Sequence, residues 1–488
     1  MNTFLNTGNI INFVLILLSL SVSAWCIYRC KRGSKRRKPY FAGIALSVLV
    51  IALCIRGSYK IFRYYDLYDK VLRPTKSYYL NELTLSPEEC REDFEEIMDI
   101  VQEYYAPLAR HKHIDLKELN KAYKDKVKTV KNAEQYGLLL LQYFSALKNM
   151  HTYPFFSRYE SGVYVVCRND SVWVSSCWND DVDLRQKDLI VAVDGIPTTD
   201  CIRKEMRINF ASTDASRKKA ATLNMFTSYT DTCRQVTVLR GDSVFNVSLP
   251  LFKEEELLAE LRKRANMKPN EKDRSPINSS LKMDEKALPS WLEAFEGFDD
   301  VGYIEIQDFG PGSVEDFDEQ MKCEFKCPYL ILDLQNNLGG IMKNMMNVAS
   351  CLILKTITIG GITIKSDTAK CYKGKLFVLT DDLTSSGAES LTAILKEQSN
   401  AVVIGQCTAG DCGSRGCNFK TSHGIEFKLA TQPPYLLPDG ETWSEGQGVA
   451  PDIEVEKCLP WERRKKAFGA AIELIRQDKL KNNAYELK

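Results

Sequence analysis

The sequence predicts an α/β protein in which a parallel-sheet core follows a β-rich module, a small helical region and two apolar N-terminal helices. From residue 297 onward, short apolar strands alternate with helices, and a turn containing Gly or Ser follows each strand. Between residues 161 and 252, apolar and polar residues alternate with turn residues between them, which is typical of strands. Two apolar runs flank a basic segment near the N-terminus. At 488 residues the chain is long enough for several hydrophobic cores.

Residues 1–63 predict a transmembrane helical hairpin with helices at about 10–28 and 40–58. The first run is long enough to cross a bilayer, and the second is a little short of the usual ~20 residues. The loop at 29–39 carries seven Lys or Arg residues, which favours the cytoplasmic side. The sequence therefore predicts a multi-pass protein of the inner (cytoplasmic) membrane whose remaining part is extracytoplasmic, in the periplasm. A cleaved signal peptide is the alternative, but residues 1–9 contain no Lys or Arg.

Beyond the hairpin, composition and periodicity divide the chain into four further parts and a linker. Ser86-Pro87-Glu88-Glu89 is a strong helix start, because Ser caps the helix and Pro suits its first turn. Residues 253–296 are charged and then rich in Pro, Asn and Ser, which is typical of a linker. The predicted parts are a helical subdomain at 64–160, the β-rich module at 161–252, the linker at 253–296, the α/β core at 297–460 and a C-terminal helix at 461–488.

Composition excludes several classes of function. A net charge of +1 with 26% charged residues argues against a nucleic-acid partner. With four histidines and no C-x-x-C pair, we expect neither a metal site nor a cofactor. Cys407, Cys412 and Cys417 are close enough in sequence to form a disulfide in an oxidising compartment, but they are equally compatible with small buried thiols. The oligomeric state is left open.

A candidate nucleophile lies in the segment T-S-S-G-A-E, Thr384 to Glu389. An apolar strand precedes this segment and a helix follows it, so Ser386 falls at a strand-to-helix turn. Such a turn exposes the hydroxyl and directs unpaired backbone N–H groups at an approaching ligand. The alternative is that Ser385 or Ser386 only caps the helix.

Three ordered motifs carry a resemblance to a known family. The segment D-L-Q-N-N-L-G-G, residues 333–340, resembles the D-L-R-x-N-x-G-G signature of the C-terminal processing (tail-specific) serine peptidases. T-S-S-G-A-E is similar to that family's S-A-S-A-S-E, and G-V-A-P-D-I, residues 448–453, matches the family ending. The resemblance covers roughly residues 92–456. It implies a crotonase/ClpP-like β/α catalytic core with Ser386 as the nucleophile.

The same resemblance implies that the β-rich module is a PDZ-like domain. L-R-Q-K-D-L-I-V-A-V-D-G-I-P, residues 184–197, is similar to a PDZ segment, with Lys187 in place of the usual glycine. PDZ domains bind chain ends by strand addition. The alternative is a β-rich module that only positions the core.

The bacterial branch of this family uses a lysine as its general base. In this sequence Asp411 stands at the position of that lysine, so a Ser-Lys pair is not expected. The segment L-K-N-M-H-T-Y instead resembles the histidine motif of the tricorn-type and nisin-resistance branch, and it supplies His151 as general base and acid. That branch also has a glutamate before its final motif, which implies Glu445 as an orienting or charge-stabilising acid. Met150 stands where tricorn-type proteins can have Ser. Without the resemblance, His151 would be interpreted as a histidine at a helix end whose hydrogen bonds are satisfied.

Acyl transfer also needs donors for the developing oxyanion. The candidates are the backbone N–H groups of Gly339 or Gly340 and of Gly387, because glycine permits close approach and unusual dihedral angles. A Gly-Gly pair after a strand is also an ordinary turn.

Together these observations predict a membrane-anchored serine endopeptidase that cleaves extracytoplasmic proteins or peptides without a cofactor. A catalytically silent PDZ-like protein that binds peptides is one alternative, because Asp411, Gln335 and Met150 all depart from the family pattern. A membrane-linked signalling scaffold is another, although the polar residues of the hairpin form no obvious ion pathway.

Overall fold

The computed structural model describes residues 2–32, 38–71, 77–168, 170–179, 181–264, 300–324, 326–359, 362–399, 401–412, 416–431, 445–456 and 460–486. The chain forms two compact units, Met1–Thr75 with Cys417–Phe419 and Lys76–Gly416 with Lys420–Lys488. The described helices are α1 (Asn2–Lys31), α2 (Lys38–Val71), α3 (Pro87–Tyr104), α4 (Ala106–His111), α5 (Leu116–Val127), α6 (Ala133–Ala146), α7 (Thr198–Glu205), α8 (Asp214–Leu223), α9 (Glu254–Arg264), α10 (Ser313–Glu324), α11 (Met342–Leu352), α12 (Ser386–Gln398) and α13 (Pro460–Glu486). The described strands are β1 (Tyr153–Pro154), β2 (Val163–Arg168), β3 (Ser171–Cys177), β4 (Leu189–Val193), β5 (Ile196–Pro197), β6 (Cys233–Arg240), β7 (Ser243–Pro250), β8 (Val301–Glu305), β9 (Tyr329–Asp333), β10 (Ile357–Ile359), β11 (Ile362–Ile364), β12 (Lys375–Thr380), β13 (Val402–Gly405), β14 (Gly416–Lys420), β15 (Glu426–Ala430) and β16 (Ile453–Glu454).

The first unit contains the two N-terminal helices, which pack against each other. The rings of Trp25 and Tyr40 meet edge to face with their centroids 5.7 Å apart. Within the described residues, one stretch, Lys38–Ile55, is long and apolar enough to cross a membrane, and Val14–Cys30 is a shorter apolar stretch. The sequence alone predicts the opposite order: the first apolar run, about 10–28, is long enough to cross a bilayer, and the second, about 40–58, is a little short. Of the basic loop predicted at 29–39, residues 33–37 lie outside the described part of the chain.

The helical part of the second unit leads to the histidine segment. Helix α3 begins as predicted: the Ser86 hydroxyl accepts from the Glu89 N–H, and the Ser86 N–H donates to the Glu89 carboxylate. Helix α6 ends near Leu147, and Lys148 adopts a left-handed conformation with φ of 52°. This turn directs the chain away from the helix axis. Strand β1 follows at once and pairs antiparallel with β15, so residues 149–152 are held at both ends.

A β-rich module contains strands β2 to β7 and helices α7 and α8. Its antiparallel sheet has the order β2-β3-β4-β6-β7, with β5 paired to β4. Lys187, which replaces a family glycine, has a φ of 75°, so the turn keeps a glycine-like conformation. The buried Asp188 that follows accepts two hydrogen bonds from Arg240, at 2.8 and 2.7 Å. This bidentate pair fixes the turn despite the cost of a left-handed lysine.

The C-terminal core is a five-stranded parallel sheet with the order β16-β13-β12-β9-β8. Successive residues of β9 and β12 point to opposite faces. Leu330, Leu332 and Val378 pack toward α10, α11 and α12, whereas Ile331 and Phe377 pack toward α13. Both faces are covered, which explains why β9 and β12 are apolar at nearly every position. The predicted α/β core is confirmed.

Parallel pairing of β9 with β12 places two turns side by side. Leu379 is opposite Asp333 in the register, so both strands end at the same edge of the sheet. The Gly-Gly turn follows β9, and the serine turn follows β12. In open parallel sheets this edge is where ligands bind.

Two predicted segments are only partly described. Within the predicted linker, 253–296, residues 254–264 form helix α9, and residues 265–296 lie outside the described part of the chain. The predicted C-terminal helix at 461–488 corresponds to α13, with residues 487 and 488 outside the described part.

Candidate active site

The serine turn holds Ser386 in an unusual backbone conformation. Ser385 is extended, whereas Ser386 has a φ of 52°, a left-handed value that is uncommon for residues other than glycine. The Ser386 N–H donates to the carbonyl of Asp411 at 2.8 Å, and the Ser385 N–H donates to the carbonyl of Asn337 at 3.0 Å. These two bonds tie the turn to its neighbours and offset the local strain. Ser386 is half-buried at the start of α12, where the sequence predicted it.

An imidazole lies next to this hydroxyl. The distance between His151 Nε2 and Ser386 Oγ is 3.2 Å, although the two residues are 235 positions apart. The Asn149 side chain holds the histidine backbone, because its Oδ1 accepts from the His151 N–H at 2.9 Å. Thr152 then fixes the segment to the core by accepting a hydrogen bond from the Ala430 N–H at 3.0 Å. The geometry is that of a hydroxyl beside a base.

The surroundings keep the imidazole neutral. Burial lowers the pKa of His151 to about 4, and the positive charges of Lys428 and Lys112 act in the same direction. The carboxylate of Glu445 opposes them and raises the pKa. Near neutral pH the ring is therefore uncharged, and Nε2 can accept a proton when Nδ1 carries the hydrogen. The Nδ1 atom is buried and has no hydrogen-bond partner among the described residues.

Glu445 lies in a polar network beside His151 rather than on the ring. Its side chain is buried, and Lys112 Nζ lies 2.5 Å from Glu445 Oε1. The same oxygen accepts from Asn149 Nδ2 at 3.0 Å and from the Ser212 hydroxyl. Asn149 therefore joins Glu445 to the backbone of His151. The carboxylate influences the histidine through this amide and through its charge.

Two further carboxyl groups are buried behind the serine turn. Asp411, which stands where a family branch has lysine, accepts from the Ser212 N–H through its carboxylate. Burial raises its pKa to about 6. Glu389 accepts from the N–H groups of Gly410 and Asp411 at 2.8 and 3.3 Å, and burial raises its pKa well above the usual value. The hydrogen bonds of these two acids hold Gly410 and Asp411 in place, and the Asp411 carbonyl accepts from the Ser386 N–H.

The three candidate oxyanion glycines differ in what their amides do. The Gly339 N–H donates to Asn337 Oδ1 at 2.8 Å and is therefore already engaged. Among the described residues, nothing accepts a backbone hydrogen bond from Gly340 or Gly387. A Cβ built on Gly387 would lie 3.7 Å from the Gly340 nitrogen, so these two residues are neighbours. They can together present two N–H groups beside Ser386.

Sequence reasoning missed three members of the network: Lys112, Asn149 and Ser212. Asn149 lies within the histidine motif, so its position two residues before His151 was an available signal. Lys112 follows α4, and Ser212 precedes α8. Nothing local in the sequence distinguishes these two from surface residues, because the fold alone buries them against Glu445.

The described residues contain no group of three or more His, Cys, Asp or Glu side chains placed to hold a metal ion. The late cysteines, for which the sequence allowed disulfides, make polar contacts in this region. Cys412 Sγ lies 3.7 Å from Glu445 Oε2, and Cys407 Sγ lies 3.5 Å from the carbonyl of Gln447. The Cys412 thiol therefore adds a weak donor to the buried carboxylate.

Comparison with known proteins identifies two regions. Residues 300–455 match the family model described as Peptidase family S41. Residues 167–251 match the model described as Bacteroidetes, Peptidase, S41 family, N-terminal domain. The first match contains the Gly-Gly turn, the serine turn and Glu445. The second coincides with most of the β-rich module.

Two curated relatives are similar over part of the chain. A putative tricorn protease homolog 2 from Streptomyces coelicolor is 28% identical over 183 residues, which cover 36% of this chain and 15% of that protein. The carboxy-terminal processing protease CtpA of Bacillus subtilis is 28% identical over 166 residues, which cover 32% of this chain and 35% of that protein. The matches therefore span well under half the length of these relatives.

A solved structure shares the fold over most of the chain. Mature CPAF in complex with lactacystin superposes with a TM-score of 0.62 over 81% of this chain and 99% of that chain. The sequences are 15% identical. This similarity supports the mixed α/β fold.

We predict that Gly339→Ala destabilises the protein more than Gly424→Ala does. Both glycines have left-handed φ values, 97° and 96°, so both substitutions carry backbone strain of about 1–2 kcal/mol. A Cβ at Gly339 would also lie 2.6 Å from Ser386 Cβ and 2.7 Å from the Gly387 nitrogen, whereas a Cβ at Gly424 meets nothing within 4 Å. Urea unfolding of the two variants measures the difference. Equal losses would contradict this close packing.

Proposed function

Because the chain belongs to peptidase family S41, we propose that it is a serine peptidase in which Ser386 is the nucleophile and His151 the general base. The observation that carries this proposal is the 3.2 Å distance between His151 Nε2 and Ser386 Oγ. A free serine hydroxyl is a weak nucleophile, and a neutral imidazole within hydrogen-bond reach activates it. The low pKa of His151 supports the role of base because it keeps the ring unprotonated.

The proposed reaction proceeds through an acyl-enzyme. Ser386 Oγ attacks the carbonyl carbon of a peptide bond while its proton passes to His151 Nε2. The resulting imidazolium gives that proton to the leaving amine, and the acyl group stays on Ser386. A water molecule, deprotonated by His151, then releases the acyl group and restores the serine.

The oxyanion formed at each step needs hydrogen-bond donors. We assign this role to the Gly340 and Gly387 amides, and removal of one such donor typically costs about 3–4 kcal/mol of transition-state stabilisation. Gly339, the third candidate from the sequence, contributes through its small size, because its own N–H donates to Asn337. Closely spaced amides at the N-terminal end of a helix also favour negative charge there.

Glu445 is proposed to stabilise the imidazolium and to orient the histidine segment. Its charge raises the pKa of His151, which favours proton uptake during attack. Its hydrogen bond from Asn149 fixes the amide whose oxygen accepts from the His151 N–H. The acid therefore acts on the position and the basicity of the ring without a direct bond to Nδ1.

We propose that the β-rich module, residues 161–252, is PDZ-like and captures an extended protein or peptide substrate before cleavage. Strand β2 is an edge strand of its sheet, and an edge can accept an added strand. The left-handed turn at Lys187 and the match of residues 167–251 to an S41 N-terminal domain support this assignment. The helical subdomain (64–160) and the core (297–460) would then flank it in sequence.

Membrane attachment is a further part of the proposal. Helices α1 and α2 would form a multi-pass hairpin in the cytoplasmic membrane, with the basic loop inside the cell and the peptidase outside. The apolar stretch at Lys38–Ile55, the shorter one at Val14–Cys30 and the density of Lys and Arg between them support this topology. The substrates would then be extracytoplasmic.

A fluorophosphonate probe should label the 488-residue chain on Ser386. We expect Ser386→Ala to abolish labelling and His151→Ala to slow it about 100-fold or more, because the base is lost. His423→Ala is the matched control, since this histidine lies in a turn and pairs with Glu92 at 3.1 Å. Peptide mapping by mass spectrometry locates the label. An unlabelled Ser386 in folded protein would favour a silent peptide-binding protein.

The rate of this labelling should depend on pH through His151. Protonated imidazole cannot accept the serine proton, so the rate falls as pH drops through the pKa of His151, which burial lowers to about 4. We expect a half-maximal rate well below the ordinary value of about 6.5. Initial labelling rates across a pH series give the midpoint. A midpoint at or above the ordinary value would contradict the buried, neutral histidine.

The proposed topology predicts that Cys233 is labelled from outside the cytoplasmic membrane. This thiol is exposed on strand β6 of the β-rich module. A membrane-impermeant maleimide applied to intact spheroplasts should modify Cys233 and Cys407, the two thiols that are exposed among the described residues, and Cys233→Ser should lose the first of these modifications while keeping the second. Modification that requires permeabilised membranes would place the peptidase in the cytoplasm and overturn the topology.

A further inference from the structure

A small pocket opens beside Ser386. Its volume is about 160 Å³. Three residues of the pocket wall each directly precede a group of the proposed site. Met150 precedes His151, Leu338 precedes the Gly-Gly pair and Ser385 precedes Ser386. The pocket is therefore adjacent to the base, the oxyanion turn and the nucleophile at once.

Helix α8 of the β-rich module forms another part of the wall. Ser216, Ala220 and Leu223 all line the pocket. Their spacing of four and then three residues places them on one face of the helix. The module thus shapes the space next to the nucleophile, in addition to any role in capturing substrate.

The lining suits an uncharged, apolar group. Leu338 is 54% exposed, which is high for a leucine beside a proposed active site. Three charged residues line the pocket: Lys219 and Asp382 form an ion pair with each other, and the Asp411 carboxylate accepts a hydrogen bond from the Ser212 N–H. The Ser385 hydroxyl is buried and has no hydrogen-bond partner among the described residues. An anionic side chain in the pocket would have to displace Asp382 from Lys219, and a cationic one would have to displace Lys219 from Asp382 or share Asp411 with the Ser212 N–H.

The volume sets the size of the group. An engineered apolar cavity of about 150 Å³ holds a benzene molecule. A pocket of about 160 Å³ is therefore large enough for a phenyl ring or a branched aliphatic side chain. An alanine side chain would leave most of it unfilled.

The position of the pocket indicates which substrate residue enters it. During attack the scissile carbonyl carbon lies at Ser386 Oγ, and its oxygen lies toward the Gly340 and Gly387 amides. Leu338 directly precedes the Gly-Gly pair and Ser385 directly precedes Ser386, so these two residues form the part of the wall next to the scissile carbonyl group. The closest substrate side chain is thus the one on the residue that supplies the scissile carbonyl.

We propose that this pocket is the primary specificity site and that the chain cleaves after Leu, Met or Phe. The inference rests on the proposed function, because it needs Ser386 to be the nucleophile. It adds the chemical class of residue that the peptidase selects and assigns the selection to Leu338, Ala220 and Leu223.

Diphenyl α-aminoalkylphosphonates that carry Leu, Phe, Ala, Lys or Glu side chains test this proposal. Ser386 Oγ attacks phosphorus, a phenolate leaves, and the serine proton passes to His151, so the reaction needs no further reagent. With the 488-residue chain in detergent, we expect second-order rate constants for the Leu and Phe probes that are about tenfold or more above those for Ala, Lys and Glu. Mass spectrometry confirms Ser386 as the site of reaction.

Pocket variants make the test specific. In Ala220→Phe the ring fills the pocket, so the ratio of Leu to Ala rate constants should fall to about one or less. In Leu223→Ala the pocket grows, so the ratio of Phe to Leu should rise. Lys218→Ala is the control, because Lys218 lies on the same helix but pairs with the exposed Asp170 outside the pocket, and both ratios should stay unchanged.

The outcomes separate the two claims. A chain that reacts with fluorophosphonate but equally fast with all five side chains overturns the pocket assignment alone. Ratios that are unchanged in both pocket variants also overturn it. A folded chain that reacts with neither class of probe overturns the proposed function and this inference with it.

Discussion

The buried carboxylate of Glu445 constrains the arrangement of the whole site. Its side chain is removed from water, and an isolated buried charge of this kind is very costly unless it is paired and hydrogen-bonded. The partners come from three places in the sequence: Lys112 after α4, Asn149 in the histidine segment and Ser212 before α8. The hydrogen bonds to this one carboxylate therefore join the helical subdomain and the β-rich module to the core.

The geometry of the site follows from that junction. Once the Asn149 side chain is held by Glu445, its Oδ1 is placed to accept from the His151 N–H, and the ring lies against Ser386. Ser212 also donates to Asp411 through its backbone N–H, and the Asp411 carbonyl receives the Ser386 N–H. The histidine and the serine are thus positioned by one connected set of hydrogen bonds. Helix α8, which lines the specificity pocket, comes directly after the loop that contains Ser212.

Local signals in the sequence predicted the α/β core and the serine turn, whereas His151 and Glu445 were implied by the family resemblance. The strand-to-helix turn at Ser386 and the parallel strands β9 and β12 could be predicted because a short apolar run and the turn residues that follow it are local signals. Lys112 and Ser212 could not, because their importance arises only when distant segments bury them together. The conformation of Lys187 was also beyond local reasoning, since Arg240, distant in sequence, stabilises its turn by binding Asp188.

The most direct test of this account is the rate at which a fluorophosphonate modifies Ser386 in a Glu445→Gln variant. Glutamine keeps the shape of the side chain and removes its charge, so both the stabilisation of the imidazolium and the pairing with Lys112 are lost. The account predicts a rate about tenfold or more below that of the unchanged protein, measured where both remain folded. An unchanged rate would contradict the claim that the buried carboxylate sets the position and basicity of His151.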